Sequence, residues 1–173
     1  MKNIFYVAII AISVFSCQNQ KIGFVDNGTI INDYQEKKDV EAKFQEREES
    51  FRKRADSISQ AFQMEAQNTQ AEAQKLASTN RKKAEELMGG LQQKQQMLQQ
   101  QMQFEQQQLT QEFQTEIDTL IVKVKDYVKD YGKKNGYTYI LGTSEAAASV
   151  MYGKDENDLT QTVLEALNAE YEK

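Results

Sequence analysis

At 173 residues and a net charge of −5, with 39% hydrophobic residues, 9% aromatics and neither tryptophan nor proline, the chain has the length of one domain but little large apolar material for a compact core. The modest net charge and the apolar fraction argue against a wholly disordered chain, and the acidic balance argues against a concentrated basic face for nucleic acid. Histidine is absent and cysteine occurs once, so neither an intrachain disulfide nor a Cys/His zinc site can be assembled.

Residues 1–16 read as a secretory signal: Lys2 supplies the positive end and Ile4 to Phe15 an apolar run of about 12 residues. A membrane-spanning helix needs roughly 20. The run stops at Ser16-Cys17, a small residue followed by cysteine, which resembles the bacterial lipoprotein box, Phe15 departing from it. The resemblance implies Cys17 as the lipidated first mature residue; the other reading is a plain signal peptide with an incidental cysteine. Residues 17–34 then hold a tether, a first strand (Lys21 to Asp26) and a short helix over Thr29 to Tyr34, after the breaker Asp26-Asn27-Gly28. That strand has no candidate partner in the next hundred residues.

Residues 35–134 contain only three glycines, Gly89, Gly90 and Gly132, and are dominated by glutamine, glutamate, lysine and alanine. Val40, Phe44, Phe51, Ile58 and Phe62 keep the spacing of one narrow helical face, as do Leu91, Leu98, Met102, Leu109, Phe113, Ile117, Leu120, Val124 and Val128 on a second segment. The pattern predicts an antiparallel coiled-coil hairpin. Two adjacent glycines in a helix interior cost about 2 kcal/mol relative to alanine, so the tip is placed at Gly89-Gly90. Folding there pairs residues whose numbers sum to about 179, setting Phe51 against Val128, Ile58 against Leu120 or Ile121, Phe62 against Ile117, Ala66 against Phe113 and Thr69 against Leu109.

Toward the expected tip the seam weakens and glutamine takes over, with charges that nearly cancel between Met64 and Phe113. Methionine is flexible and polarisable and suits surfaces that accept varied apolar partners. Met64, Leu76, Leu87, Met88, Leu91, Met97, Met102 and Phe104 are therefore the candidate contact residues for an apolar client.

Residues 135–173 complete the base. Gly132 to Gly136 end the helix, Tyr137 to Gly142 predict a second strand, and Ala148 to Tyr152 a third. Asp158 to Gln161 have capping-box spacing and open a terminal helix through Val163, Leu164 and Leu167. The expected class is α+β, mostly α: a three-strand sheet closed by both termini, with the hairpin inserted between its first and second strands.

The KIGFVD strand with its short helix, the hairpin, and the closing pattern GKKNGYTYILGTSEAAASVMYGKDENDLTQTVLEALN resemble the Skp/OmpH family of periplasmic chaperones over essentially the whole mature chain. The resemblance implies a homotrimer whose small sheets join into a β-barrel, and helical tentacles that enclose unfolded outer-membrane proteins without nucleotide, metal or other cofactor. Exposed sheet edges agree with trimerisation, and Ile22, Phe24, Ile140, Leu141, Val150 and Met151 are the candidate trimer core. The implied partners are unfolded outer-membrane β-barrel proteins, other copies of the chain, and a membrane reached through the lipid on Cys17; no nucleic acid and no small-molecule substrate is implied. With Gln18 rather than aspartate after the cysteine, resemblance to the sorting pattern of bacterial lipoproteins implies the outer over the inner membrane, on its periplasmic side.

The chain departs from the best-known members in its acidic balance and its tether. The alternative reading is a lipid-anchored coiled-coil spacer of the envelope with no client, which would keep a strong seam to its tip. An enzyme is not expected, because no serine or aspartate stands in a recognisable nucleophile, phosphate-loop or metal setting.

Overall fold

The computed structural model describes residues 20–144 and 147–172. The expected signal segment 1–16 and Cys17 lie outside them. Elements run in the order β1 (Ile22–Asp26), α1 (Asn27–Asp33), α2 (Gln35–Leu76), α3 (Arg81–Lys134), β2 (Tyr139–Thr143), a single 3-10 turn (Asp155–Asn157) and α4 (Thr160–Tyr171). They form two compact units: a body of residues up to Gln35 and from Leu120 onward, and a hairpin unit of Glu36–Thr119.

In the body, β1 pairs with β2 in parallel, from Ile22 opposite Tyr139 to Asp26 opposite Thr143. Parallel strands cannot be joined by a tight turn, and here the whole of α1, α2 and α3 serves as the connection. The partner that β1 lacks for a hundred residues is thus β2, and the ladder is extended by the Thr138 amide donating to the Lys21 carbonyl at 2.8 Å.

The expected third strand is corrected. Among the described residues the sheet has two strands, and Ala148 to Tyr152 is irregular chain. The second edge of β1 is taken instead by Asp158 and Leu159, through a parallel bridge between Phe24 and Asp158 and the Leu159 amide donating to the Phe24 carbonyl at 2.8 Å. β-Propensity states a preference and does not by itself supply a ladder. Asp158 and Leu159 hold the edge of β1, and Ala148 to Tyr152 pair with neither strand among the described residues.

Asp158-Leu159-Thr160 makes that junction. Leu159 is buried, and its side chain occupies the space a Cβ on Gly23 would need. The Thr160 hydroxyl accepts the Asp26 amide at 2.9 Å and donates to the Asp158 carboxylate, which also accepts the Thr160 amide at 2.9 Å. The capping-box expectation is therefore also corrected. The Asp158 carboxylate turns back two residues on, not three, and the Gln161 amide donates along the helix to Glu165.

The body core is the contact of α1 and α4 beneath β1: Val25, Ile30, Tyr34, Leu159, Val163, Leu164 and Leu167 are buried, with Leu120 and Val124 of α3. Asp26 caps α1 by accepting the Thr29 amide at 2.9 Å. Tyr34 breaks α1 from α2 with an extended backbone and buries its ring, which Tyr171 meets edge-on at 6.1 Å between centroids. The Lys123 ammonium lies 5.7 Å from both rings. α3 ends in a Schellman turn: Gly136 takes φ +70°, and the Tyr137 amide returns to the Gly132 carbonyl at 3.0 Å.

The first amide of α2 is capped from the far end of the chain, Gln35 N–H donating to the Asn168 side-chain oxygen at 2.9 Å. Asn168→Ala removes that acceptor and is expected to cost about 1 kcal/mol, seen as a lower thermal midpoint by circular dichroism. Asn168→Asp keeps the acceptor and is expected to hold the midpoint. Equal midpoints for wild type and Asn168→Ala would show that the bond contributes nothing.

Candidate functional site

The hairpin unit turns at Ala77 to Asn80, not at Gly89-Gly90. α2 stops at Leu76, whose carbonyl accepts the Asn80 amide at 2.7 Å, and Asn80 then caps α3 by accepting the Lys83 amide on its side chain at 3.2 Å. Gly89 and Gly90 lie inside α3, which runs unbroken from Arg81 to Lys134. A helix end leaves orphan amides that need acceptors, and Ser78-Thr79-Asn80 supplies one where a glycine pair supplies none.

Moving the turn moves every pairing across the hairpin. Four ion pairs join the two helices: Lys43 with Glu116 at 2.9 Å, Arg47 with Glu112 at 2.7 Å, Arg54 with Glu105, and Glu65 with Lys94. In each the residue numbers sum to about 159. Phe44 meets Phe113 edge-on at 5.2 Å, where Ala66 was expected. The pairings of Phe51 with Val128, Ile58 with Leu120 or Ile121, Phe62 with Ile117, and Thr69 with Leu109 are likewise replaced. Ile58 and Phe62 instead line one groove of about 480 Å³ with Leu98 and Met102. All eight charged groups are substantially exposed, and exposed pairs contribute at most about 1 kcal/mol each, so the ladder fixes register more than it adds stability.

The seam is thin. Phe44 and Phe51 are buried toward the open end, and Ala73 and Ala84 near the turn. No residue from Arg52 to Glu72 or from Glu85 to Thr119 is buried. Of the candidate contact residues, Leu76, Leu87, Leu91 and Met102 are half-buried along the seam. Met64, Met97 and Phe104 stand about 60% exposed and Met88 is 41% exposed. With the turn at Ala77 to Asn80, Met97, Met102 and Phe104 fall well back from the closed end. That end carries Lys75, Arg81, Lys82 and Lys83, with no acidic residue in the first turn of α3. The Arg81-Lys82-Lys83 triplet stands in sequence as a solvated helix face or a contact for anionic lipid or client, and Arg81 pairs with Glu85 at 2.9 Å. What sequence reasoning missed was the turn beside it, for which the Asn80 cap was the available signal.

The body candidates divide by exposure. Phe24, Ile140 and Val150 are half-buried. Phe24 lies over Gly153, leaving no room there for a side chain, and Ile140 packs on Gly132. Ile22 and Leu141 are more than 40% exposed, as is Tyr139, and Met151 and Tyr152 are almost fully exposed. Among the described residues no group of three or more acidic, cysteine or histidine side chains is placed to hold a metal ion. No described helix is long and apolar enough to cross a membrane.

The register has a direct test. In a Cys17→Ser background, Glu65→Cys with Lys94→Cys is expected to join under a short bismaleimide cross-linker. Thr69→Cys with Leu109→Cys is not, because an offset of about 20 residues along a helix is roughly 30 Å. The opposite pattern, read by mass spectrometry after proteolysis, would restore the Gly89-Gly90 turn.

Comparison with individually curated proteins gives no match at the level of whole sequences. The family model described as outer membrane protein (OmpH-like) matches residues 21–167, which spans β1, both long helices, β2 and most of α4. The chain belongs to the OmpH-like (Skp/OmpH) family.

Proposed function

We propose that the chain is an ATP-independent holding chaperone of the periplasm, which encloses unfolded outer-membrane β-barrel proteins between the hairpins of a homotrimer and keeps them from aggregating. Family membership supports this reading. The observation that carries it is the thin seam: Met64, Met97 and Phe104 are exposed on helices whose other apolar residues are mostly half-covered. An unfolded barrel strand presents alternating apolar side chains, and many weak contacts with such a surface hold it while each remains easily broken.

In this reading Met64, Leu76, Leu87, Met88, Leu91, Met97, Met102 and Phe104 touch the client. Ile22, Phe24, Ile140, Leu141, Val150 and Met151 serve the trimer, together with Tyr139. Its support is the exposed apolar side chains of the sheet and the outer edge of β2, which has no ladder partner among the described residues.

The mature protein with Cys17→Ser is expected to sediment as a trimer at micromolar concentration. Without ATP, it is expected to suppress aggregation of an unfolded β-barrel protein diluted from urea. A version with Met64→Gln, Met97→Gln and Phe104→Gln, all at exposed positions, is expected to remain trimeric and protect less. A monomer would remove the trimer. Absence of protection by the intact trimer would remove the chaperone reading and favour a spacer stiffened by the ion-pair ladder.

The tether is proposed separately, from the sequence Ser16-Cys17 after an apolar run. Lipid on Cys17 would hold the body to the periplasmic face of the outer membrane, close to where barrels are assembled. Expressed with its own leader, the wild type is expected in the outer-membrane fraction and Cys17→Ser in the soluble fraction. Identical fractionation of the two would count against lipidation.

A further inference from the structure

Gly89 and Gly90 have no structural reason to be glycine. Both are exposed in the interior of α3, and a Cβ added to either would meet nothing within 4 Å. Neither has positive φ, which among the described glycines only Gly136 shows. Gly23, Gly142 and Gly153 differ, because a neighbouring side chain occupies the space of the missing Cβ in each. Alanine is used freely nearby, at Ala71, Ala73, Ala77 and Ala84, and alanine would fit both sites. Two helix-interior glycines favour local opening by about thirty-fold over two alanines.

The surroundings do little to oppose that opening. Glu65 with Lys94 is the last ion pair joining the helices on the way to the turn; among the described residues beyond it, Arg81 with Glu85 lies within α3. Leu87 and Leu91, on either side of the glycines, are half-buried, and Met88 is exposed. Ala73 and Ala84 alone are buried in this stretch. The apolar groups at the glycines are therefore loosely held, while the turn itself is fixed by its Asn80 cap.

We propose that Gly89-Gly90 is a flexible joint in α3, at which the helix opens locally and offers Leu87, Met88 and Leu91 to an extended apolar polypeptide. The role assigned to the motion rests on the holding-chaperone reading; the joint itself does not.

Amide hydrogen exchange of the full mature protein tests it. Exchange is expected to peak over residues 89–94 and to be slower at 84–88, between the joint and the turn. A smooth rise toward the turn would be end fraying and would overturn the joint. Gly89→Ala with Gly90→Ala is expected to slow exchange of residues 89–94 by about thirty-fold, and to raise several-fold the concentration needed to suppress client aggregation. Adding Gln92→Gly and Gln93→Gly to that variant, at exposed positions one turn on, is expected to restore both. Unchanged exchange in the alanine variant would overturn the joint; slowed exchange with unchanged protection would overturn its role in holding. Absence of protection by the wild type would remove the chaperone reading and leave the exchange result to decide the joint.

Discussion

Both ends of the chain meet in one short parallel ladder, and the rest of the body is built around it. Five residues of β1 are paired on one side by β2 and met on the other by Asp158 and Leu159. Every backbone ladder partner of β1 therefore comes from more than a hundred residues later, and the intervening chain is forced into a closed excursion. Such a small sheet buries little by itself. Its stability comes from α1 and α4 covering it, with Ile30 and Val163 fully enclosed, and from the Thr160 hydroxyl joining the end of β1 to the start of α4. Isolated two-strand sheets are marginal in water, so this body depends on tertiary locks of that kind.

The hairpin unit meets a different constraint. It has few large side chains to bury, and it secures alignment with charge instead of volume: Lys43, Arg47, Arg54 and Lys94 each find a carboxylate on the opposite helix. Exposed ion pairs add little free energy, but a slipped register would set like charges together or leave them unmatched. Specified alignment with weak cohesion keeps the two helices in step while leaving apolar groups such as Met64, Met97 and Phe104 in water. A tighter seam would have covered more of them.

Much of this was legible in the sequence, for identifiable reasons. Spacing of three and four residues marks the helices whatever they pack against, and Lys21 to Asp26 and Tyr137 to Gly142 read as strands because β-branched and aromatic residues cluster between breakers; the strands run Ile22–Asp26 and Tyr139–Thr143. The turn was misplaced because glycine lowers helix preference without ending a helix. The end is made by an acceptor for orphan amides, which Asn80 provides. Register followed the turn, so one error displaced every pair across the hairpin. Ala148 to Tyr152 is irregular because β-propensity states a preference and not a pairing: Asp158-Leu159 holds the edge of β1, and the segment does not join the open edge of β2. The candidate contact residues were found by composition, but which of them lie in water and which along the seam follows from the register.

The Asn168 side chain that receives the Gln35 amide is separated from it by 133 positions, and this distance in sequence becomes a sequence in time. A ribosome or a translocation channel delivers the chain from its N-terminus, so Glu36 to Thr119 emerge with all their internal partners before β2 or α4 exists. Contacts within the hairpin are local enough to form early, whereas those of β1 carry a large loop-closure cost and arrive last. During that interval β1 is an unpaired apolar strand. The OmpH-like body thus passes, in its own biogenesis, through the exposed-strand state that its proposed clients present.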